Sequence, residues 1–245
     1  MNLNNKIAVV TGGNSGIGLA TAKELVAQQA TVIITGRRKD ALEKVAKEIG
    51  AVPFVADQSN VQDIIVLKQA IEQQFGAVDI LFINAGITGT ASLIENADED
   101  NFDTVMNINF KGAYFTLSKF IPILNDGASV VFLSSNTASM RSPQHSVYQS
   151  SKAALNSIAK TAAVELASRK IRVNTISPGP TRTNVLNNAY GEDNANAIWE
   201  NLASVVPLNK VGVPEDVAKM VIYLSSENSS YITGADFLID GGMTL

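Results

Sequence analysis

The chain has 245 residues, 46% of them hydrophobic and 17% charged, with a formal net charge of −4. That is apolar material for one sizeable core, at a length where an α/β fold often forms a single domain. The acidic balance, without a clustered basic surface, argues against nucleic acid as a partner. The absence of cysteine excludes disulfides and thiolate metal sites and is compatible with a reducing cytoplasm.

The opening residues, MNLNNKIAVVTGG, lack a charged segment leading into a long apolar one and do not read as a signal peptide. No apolar run approaches the roughly 20 residues that span a bilayer. A cytoplasmic protein with no membrane partner is the expectation. The first predicted strand is KIAVVT, followed by a helix over GLATAKELVAQQ and a second strand, TVIITG. A helix over ALEKVAKEI comes next, where Asp40 with Glu43 three positions on reads as a capping box. The runs AVPFVA, VDILFIN, ASVVFLSS, RVNTISP and ADFLID complete the strands. These Val/Ile/Phe-rich runs are mostly only a few residues long, as in strands buried on both faces. Their alternation with amphipathic segments predicts a Rossmann-type, doubly wound parallel sheet of about seven strands with helices on both faces. The segment 183–207 breaks the rhythm: it is rich in Asn and Ala and holds Trp199, the only tryptophan. A long irregular connection of this kind reads as a substrate lid.

The first strand runs directly into Thr11-Gly12-Gly13-Asn14-Ser15-Gly16-Ile17-Gly18, where a helix opens. Glycines there let the backbone approach a pyrophosphate, which the free N–H groups of the helix start then receive. In the dinucleotide fingerprint an acid about 20 residues onward holds the ribose 2′-OH of NAD. Here the second strand ends Thr35-Gly36-Arg37-Arg38, without a carboxylate. A guanidinium at this place suits a 2′-phosphate, so NADP(H) is favoured and NAD(H) stays possible.

Toward the middle of the chain, HSVYQSSK places Tyr148 four residues ahead of Lys152, on one face of a predicted helix. A phenol with a pKa near 10 is a poor base at neutral pH. An adjacent ammonium favours the phenolate and brings it into reach for proton transfer. His145, the only histidine, lies three residues before the tyrosine and either shapes a substrate pocket or sits on a surface loop.

These motifs taken together resemble the short-chain dehydrogenase/reductase family, in its single-domain form. The resemblance covers essentially the whole chain. It rests on TGGNSGIG, NAG at Asn84–Gly86, NINFKG around Asn109, the pair Ser134–Ser135, YQSSK, SPGPTRT at Ser177–Thr183, and DGG near the C-terminus. It implies a catalytic tetrad of Asn109, Ser135, Tyr148 and Lys152, Ser135 being preferred to Ser134 because it lies thirteen residues before the tyrosine. Ser135 would bind the substrate oxygen, Tyr148 would be general acid and base, and Lys152 would hold the nicotinamide ribose. Asn109 would anchor a water on the proton path. The cofactor set implied is Gly12, Asn14, Ser15, Gly16, Ile17, Gly18, Arg37, Arg38, Asp57, Asn84, Gly86, Tyr148, Lys152, Pro178, Gly179, Thr181 and Thr183. Asp57 would contact adenine, while Pro178, Gly179 and Thr183 would border the nicotinamide. Ile83 stands where the family usually has an asparagine, which removes a structural hydrogen bond.

The implied activity is hydride transfer between a nicotinamide and a small-molecule ketone or secondary alcohol, with no metal. A 3-oxoacyl-[acyl-carrier-protein] reductase is the alternative. It is disfavoured because Pro122–Gly127 offers no Lys or Arg to an acidic carrier. A non-catalytic dinucleotide sensor would commonly lose part of the tetrad, and an epimerase or dehydratase would usually need a larger C-terminal domain. Candidates for the substrate pocket are Asn136, Met140, His145, Tyr190 and Trp199. The resemblance also implies a homotetramer, with Ala153, Ala154, Ala159, Ala163 and Ala167 as a face permitting close packing between subunits.

Overall fold

A computed structural model of the chain describes residues 2–140, 142–183 and 192–245. Seven strands form one parallel sheet: β1 (Ile7–Val10), β2 (Thr31–Gly36), β3 (Val52–Val55), β4 (Val78–Ile83), β5 (Leu124–Leu133), β6 (Arg172–Pro178) and β7 (Asp236–Ile239). Their order across the sheet is β3-β2-β1-β4-β5-β6-β7. The chain winds outward from β1 in one direction, then returns and winds outward from β4 in the other. In such sheets a crevice opens at the carboxyl ends of the strands where the order reverses, here between β1 and β4.

The two-faced burial follows from the period of two along each strand. Val9 and Ile33 enter one core, while Ala8, Val10, Val32 and Ile34 enter the other. The first core is closed by α3 (Val61–Phe75), α5 (Ala113–Phe120) and α6 (Ser146–Glu165), through Ile64, Ile71, Phe120 and Leu155. Opposite lie α1 (Gly16–Ala27), α2 (Lys39–Ile49) and α8 (Pro214–Leu224), which contribute Leu25, Leu42 and Val221. Among the described residues two further helices lie outside this pattern, α4 (Glu99–Met106) and α7 (Glu192–Val205), the second falling in the segment expected to be irregular. No helix among the described residues is long and apolar enough to cross a membrane.

Three further expectations change. Helix α2 begins at Lys39, so Asp40 lies inside its first turn rather than capping it, and Lys39 pairs with Glu43 at 3.9 Å. A carboxylate in the first turn still favours the helix through the macrodipole, which is why the sequence looked like a cap. The segment Pro122–Gly127, whose sequence reads as the end of the helix before β5, divides. A turn spans Ile121–Ile123, and Leu124 already pairs with Val78. Asn125, Asp126 and Gly127 form a bulge that shifts the register of β4 on β5, with Gly127 at φ +83°. Finally, Ala159 and Ala163 are buried in this chain's own core, while Ala153 and Ala167 are exposed. The five alanines therefore do not form one free face.

Candidate active site

The turn after β1 is shaped by backbone approach. Gly12 has φ +65° and Gly16 φ +52°, both in the region that favours glycine. A Cβ on Gly18 would lie 2.3 Å from the Gly12 carbonyl oxygen, so α1 could not start this close to the turn with a larger residue. Asn84, at the end of β4, fastens the turn from below: its Nδ2 donates to Thr11 O at 2.8 Å and to Gly12 O at 3.2 Å. Helix α1 carries no acid in its first turn, and its N-cap Ser15 makes no side-chain capping bond. Its leading N–H groups are thus left for an anion.

A cleft of about 1030 Å³ runs from this turn along the carboxyl ends of the strands. At one end its walls include Gly12, Asn14, Ser15, Gly16, Ile17, Arg37 and Arg38; Asp57 and Gln58 follow, then Asn84 and Gly86. At the other end stand Ile87, Leu133, Tyr148 and Thr183. Arg37 and Arg38 are exposed at the rim, beyond the end of β2. Asp57 keeps its Oδ1 on Ser59, accepting from N at 2.9 Å and Oγ at 2.8 Å, which fixes the loop after β3. A nicotinamide dinucleotide fits these residues. The glycine turn leaves no Cβ in the way, the start of α1 would receive the pyrophosphate, and Arg37 and Arg38 would stand beside the ribose next to it.

At the far end α6 delivers Tyr148 and Lys152 from one face, with the Lys152 Nζ 5.8 Å from the centre of the phenol ring. Lys152 is buried and donates to Leu133 O at 2.8 Å, leaving two of its three donors for other partners. Burial pulls its pKa down to about 8. Burial also pushes the Tyr148 phenol above its usual value, while a hydrogen bond with Ser135 works against that rise. Ser135 Oγ accepts from Thr137 N at 3.2 Å and Oγ1 at 2.9 Å, so its own proton is free to turn toward the tyrosine or a ligand. Ser134 is turned away, donating to Lys152 O at 3.2 Å. Asn109 occupies a π-helical turn, Asn107–Gly112, inserted between α4 and α5. It accepts from Ile87 N at 2.8 Å and donates to Ile87 O at 2.8 Å and Ser151 Oγ at 3.0 Å. Ser151 in turn donates to Tyr148 O at 2.7 Å. Both N–H donors of Asn109 are therefore spent on protein, and a water held by this residue would have to donate to its remaining acceptors. Insertions of this kind recur at functional sites.

The other predicted positions divide. Pro178 ends β6, and Gly179 lies flat on Asp240, where a Cβ would come within 2.6 Å of that residue's own Cβ. Thr181 bridges to Gly212 and donates to Gly179 O at 3.0 Å. Ile83, in the place of the asparagine, is buried in the core. Asn136 is buried and donates to Met243 Sδ at 3.7 Å. Burial opposes ionisation of Asp240, yet hydrogen bonds from Thr244, Gly242 and Asn136 hold its pKa below the usual value. His145 is exposed at the start of α6, with its carbonyl accepting from Gln149 N at 2.9 Å. Trp199 is buried on α7, and Met140 is half-buried. None of these four lines the cleft among the described residues. Tyr190 and the rest of residues 184–191 lie outside the described residues.

Three contributors had no place in the motif reading. Ser151 sits inside YQSSK but acts through a bond to a residue 42 positions away. Leu133 contributes only a carbonyl. Gln58 follows Asp57 and is buried, its Nε2 donating to Ala85 O at 3.0 Å and Ile108 O at 3.1 Å. It lies three residues beyond the end of β3, next to Asp57, and nothing in its sequence context marks it.

Comparison with known proteins places this arrangement. A family model described as "Enoyl-(Acyl carrier protein) reductase" matches residues 12–244. The chain is 36% identical to 3-oxoacyl-[acyl-carrier-protein] reductase of Thermotoga maritima over all of both chains. A solved structure described as a short chain dehydrogenase/reductase family protein is 33% identical, superposes with a TM-score of 0.87 and covers all of both chains. This chain belongs to the short-chain dehydrogenase/reductase family. It is also 33% identical to the NADP-dependent (R)-specific alcohol dehydrogenase of Lentilactobacillus kefiri, over 99% of this chain and 98% of that one. As a member of the family it is an NAD(P)-dependent oxidoreductase of carbonyl or alcohol groups.

Proposed function

We propose that the chain is an NADP(H)-preferring carbonyl reductase and secondary alcohol dehydrogenase with Tyr148 as its general acid and base. The observation that carries this is the single cleft joining Arg37, Arg38 and the glycine turn at one end to Tyr148 at the other. When bound, the nicotinamide supplies a hydride to the substrate carbon or takes one from it. The chain's own residues orient the reactants and manage the proton. Ser135 Oγ donates to the substrate oxygen and holds the negative charge that develops there. Tyr148 gives that oxygen its proton in reduction and removes it in oxidation. The two spare donors of Lys152 hold the ribose hydroxyls, and its charge stabilises the phenolate left after proton transfer. Asn109 positions the polar chain through which Tyr148 is reprotonated. Asp57 receives adenine, Asn84 and Gly86 support its ribose, and Pro178, Gly179, Thr181 and Thr183 border the nicotinamide. The segment 183–207 is the substrate lid in this reading. A cytoplasmic homotetramer is the assembly and location this reading carries, and measurement of the native mass tests the first.

The second reading, reduction of a 3-oxoacyl group on an acyl carrier protein, is favoured by the name of the Thermotoga maritima relative. Against it, the bulge in β5 presents Asn125 and Asp126 to an acidic carrier. Arg169, the nearest guanidinium, is tied to Asp126 at 2.9 Å and to Ile121 O at 2.9 Å.

The test is a titration with NADPH and with NADH followed by nicotinamide fluorescence. A panel of free ketones, 3-oxo esters and a 3-oxoacyl carrier protein is then assayed with the tighter cofactor. Tighter binding of NADPH by about tenfold, a difference of about 1.4 kcal/mol, and faster turnover of free ketones are expected. Preference for the carrier-bound thioester would move the assignment to the second reading.

A further inference from the structure

Gln58 stands where the adenine side of the cleft meets the catalytic side. Its Nε2 donates to two carbonyls from different segments: Ala85 O, between Asn84 and Gly86, and Ile108 O, in the π-helical turn one residue before Asn109. Its main chain meets the same turn again, since a Cβ on Gly112 would fall 2.1 Å from Gln58 O. The partner segment is equally tight. A Cβ on Gly86 would lie 3.2 Å from Asn109 Oδ1 and 3.4 Å from Lys152 Nζ. The side chain is buried, and its Oε1 meets no donor among the described residues, so the polarity of the amide is spent on those two carbonyls alone. The two donated bonds are therefore what a glutamine supplies at this position.

We propose that Gln58 is a positioning residue for the proton-transfer set. It joins the loop that follows β3 to the π-helical turn and thereby sets where Asn109 stands against Ile87, Ser151 and Tyr148. Gln58 makes no contact with the reacting atoms in this account; its effect passes through Asn109. The inference rests on Asn109 belonging to the catalytic tetrad, so the experiment must separate the two.

A double-mutant cycle does so, with NADPH and the fastest ketone of the panel. Gln58→Met keeps the length and packing of the side chain but removes both donors. It is expected to lower kcat about tenfold while the NADPH dissociation constant stays within about threefold. In an Asn109→Ala background the same substitution should change kcat by less than about twofold, because the residue it acts through is gone. Gln58→Glu sets a carboxylate against two carbonyl oxygens and should be slower than Gln58→Met at pH 8; Gln58→Leu takes the place of Gln58→Met where that variant does not fold. Unchanged kcat in Gln58→Met, an equal loss in both backgrounds, or a Glu variant as fast as the Met variant would overturn the proposal. An Asn109→Ala enzyme with full kcat would instead overturn the tetrad reading beneath it.

Discussion

Lys152 carries the largest electrostatic burden on a single residue of the site. Its pKa of about 8 in the folded chain compares with about 10.5 for an ordinary lysine. Between those values the unfolded state binds the proton that the folded state has lost, so folding stability rises with pH across that window. Below it, burying the charge costs about 3 kcal/mol. Denaturation by urea at pH 7.5 and 9.5 should therefore show wild type gaining about 2 kcal/mol relative to Lys152→Met on going to the higher pH. An identical pH response in the two proteins would mean that burial does not lower the lysine's pKa and that it holds its proton in the folded site as it does in the unfolded chain. Catalysis should run the other way. A protonated Lys152 supports the phenolate left by Tyr148 after proton donation, so kcat/KM for NADPH in carbonyl reduction should fall as pH rises through about 8. A profile flat from pH 6 to 10 would remove that support from the mechanism. The identities of Tyr148 and Lys152 were legible because residues four apart share a helix face. The condition of the lysine was not, since it depends on burial against Leu133 O, nineteen residues away.

Among the elements, the β1–α1 turn is the part of the cleft whose geometry tolerates least change. An added methyl at Gly18 meets a main-chain oxygen that cannot move aside without opening the turn. Gly18→Ala should weaken NADPH by about tenfold or more, the equivalent of at least about 1.4 kcal/mol of overpacking, with far-UV circular dichroism confirming the fold. Wild-type affinity in that variant would show that the turn does not set the cofactor's approach. This element was legible as a whole, because its glycines, the strand before and the helix after are contiguous in sequence. The π-helical turn at Asn107–Gly112 was not: without the family, Asn109 is a polar residue near the end of a helix. What gives it a place are bonds to Ile87, 22 residues away, and to Ser151, 42 residues away. Gln58 was hidden for the same reason, as its partners come from two other segments.

At the scale of the whole molecule, the winding of the sheet brings Arg37 and Arg38 after β2 and Tyr148 on α6 to one crevice. The alternation of short apolar runs with amphipathic segments made that topology readable, down to the number of strands. The division of the cleft between cofactor and substrate was less readable. His145 is exposed, Asn136 is engaged with the C-terminal segment, and neither lines the cleft among the described residues. Sequence spacing places residues on elements, but it does not say which of them turn toward the same cavity. If Arg37 reads a 2′-phosphate, Arg37→Ala should weaken NADPH by about tenfold, within the range of a charge-assisted bond, and leave NADH nearly unchanged. Equal losses for both cofactors would make the guanidinium a general attraction rather than a selector.

The role of Tyr148 is tested most directly by comparing wild type with Tyr148→Phe, which removes one oxygen and leaves the ring. NADPH binding is followed by fluorescence, and turnover of the fastest ketone is followed at the same pH. An NADPH dissociation constant within about threefold of wild type and a kcat lower by about 10²–10⁴ are expected. A Tyr148→Phe enzyme that turns over within about threefold of the wild-type rate would contradict that role, and would place the proton donor elsewhere in the cleft.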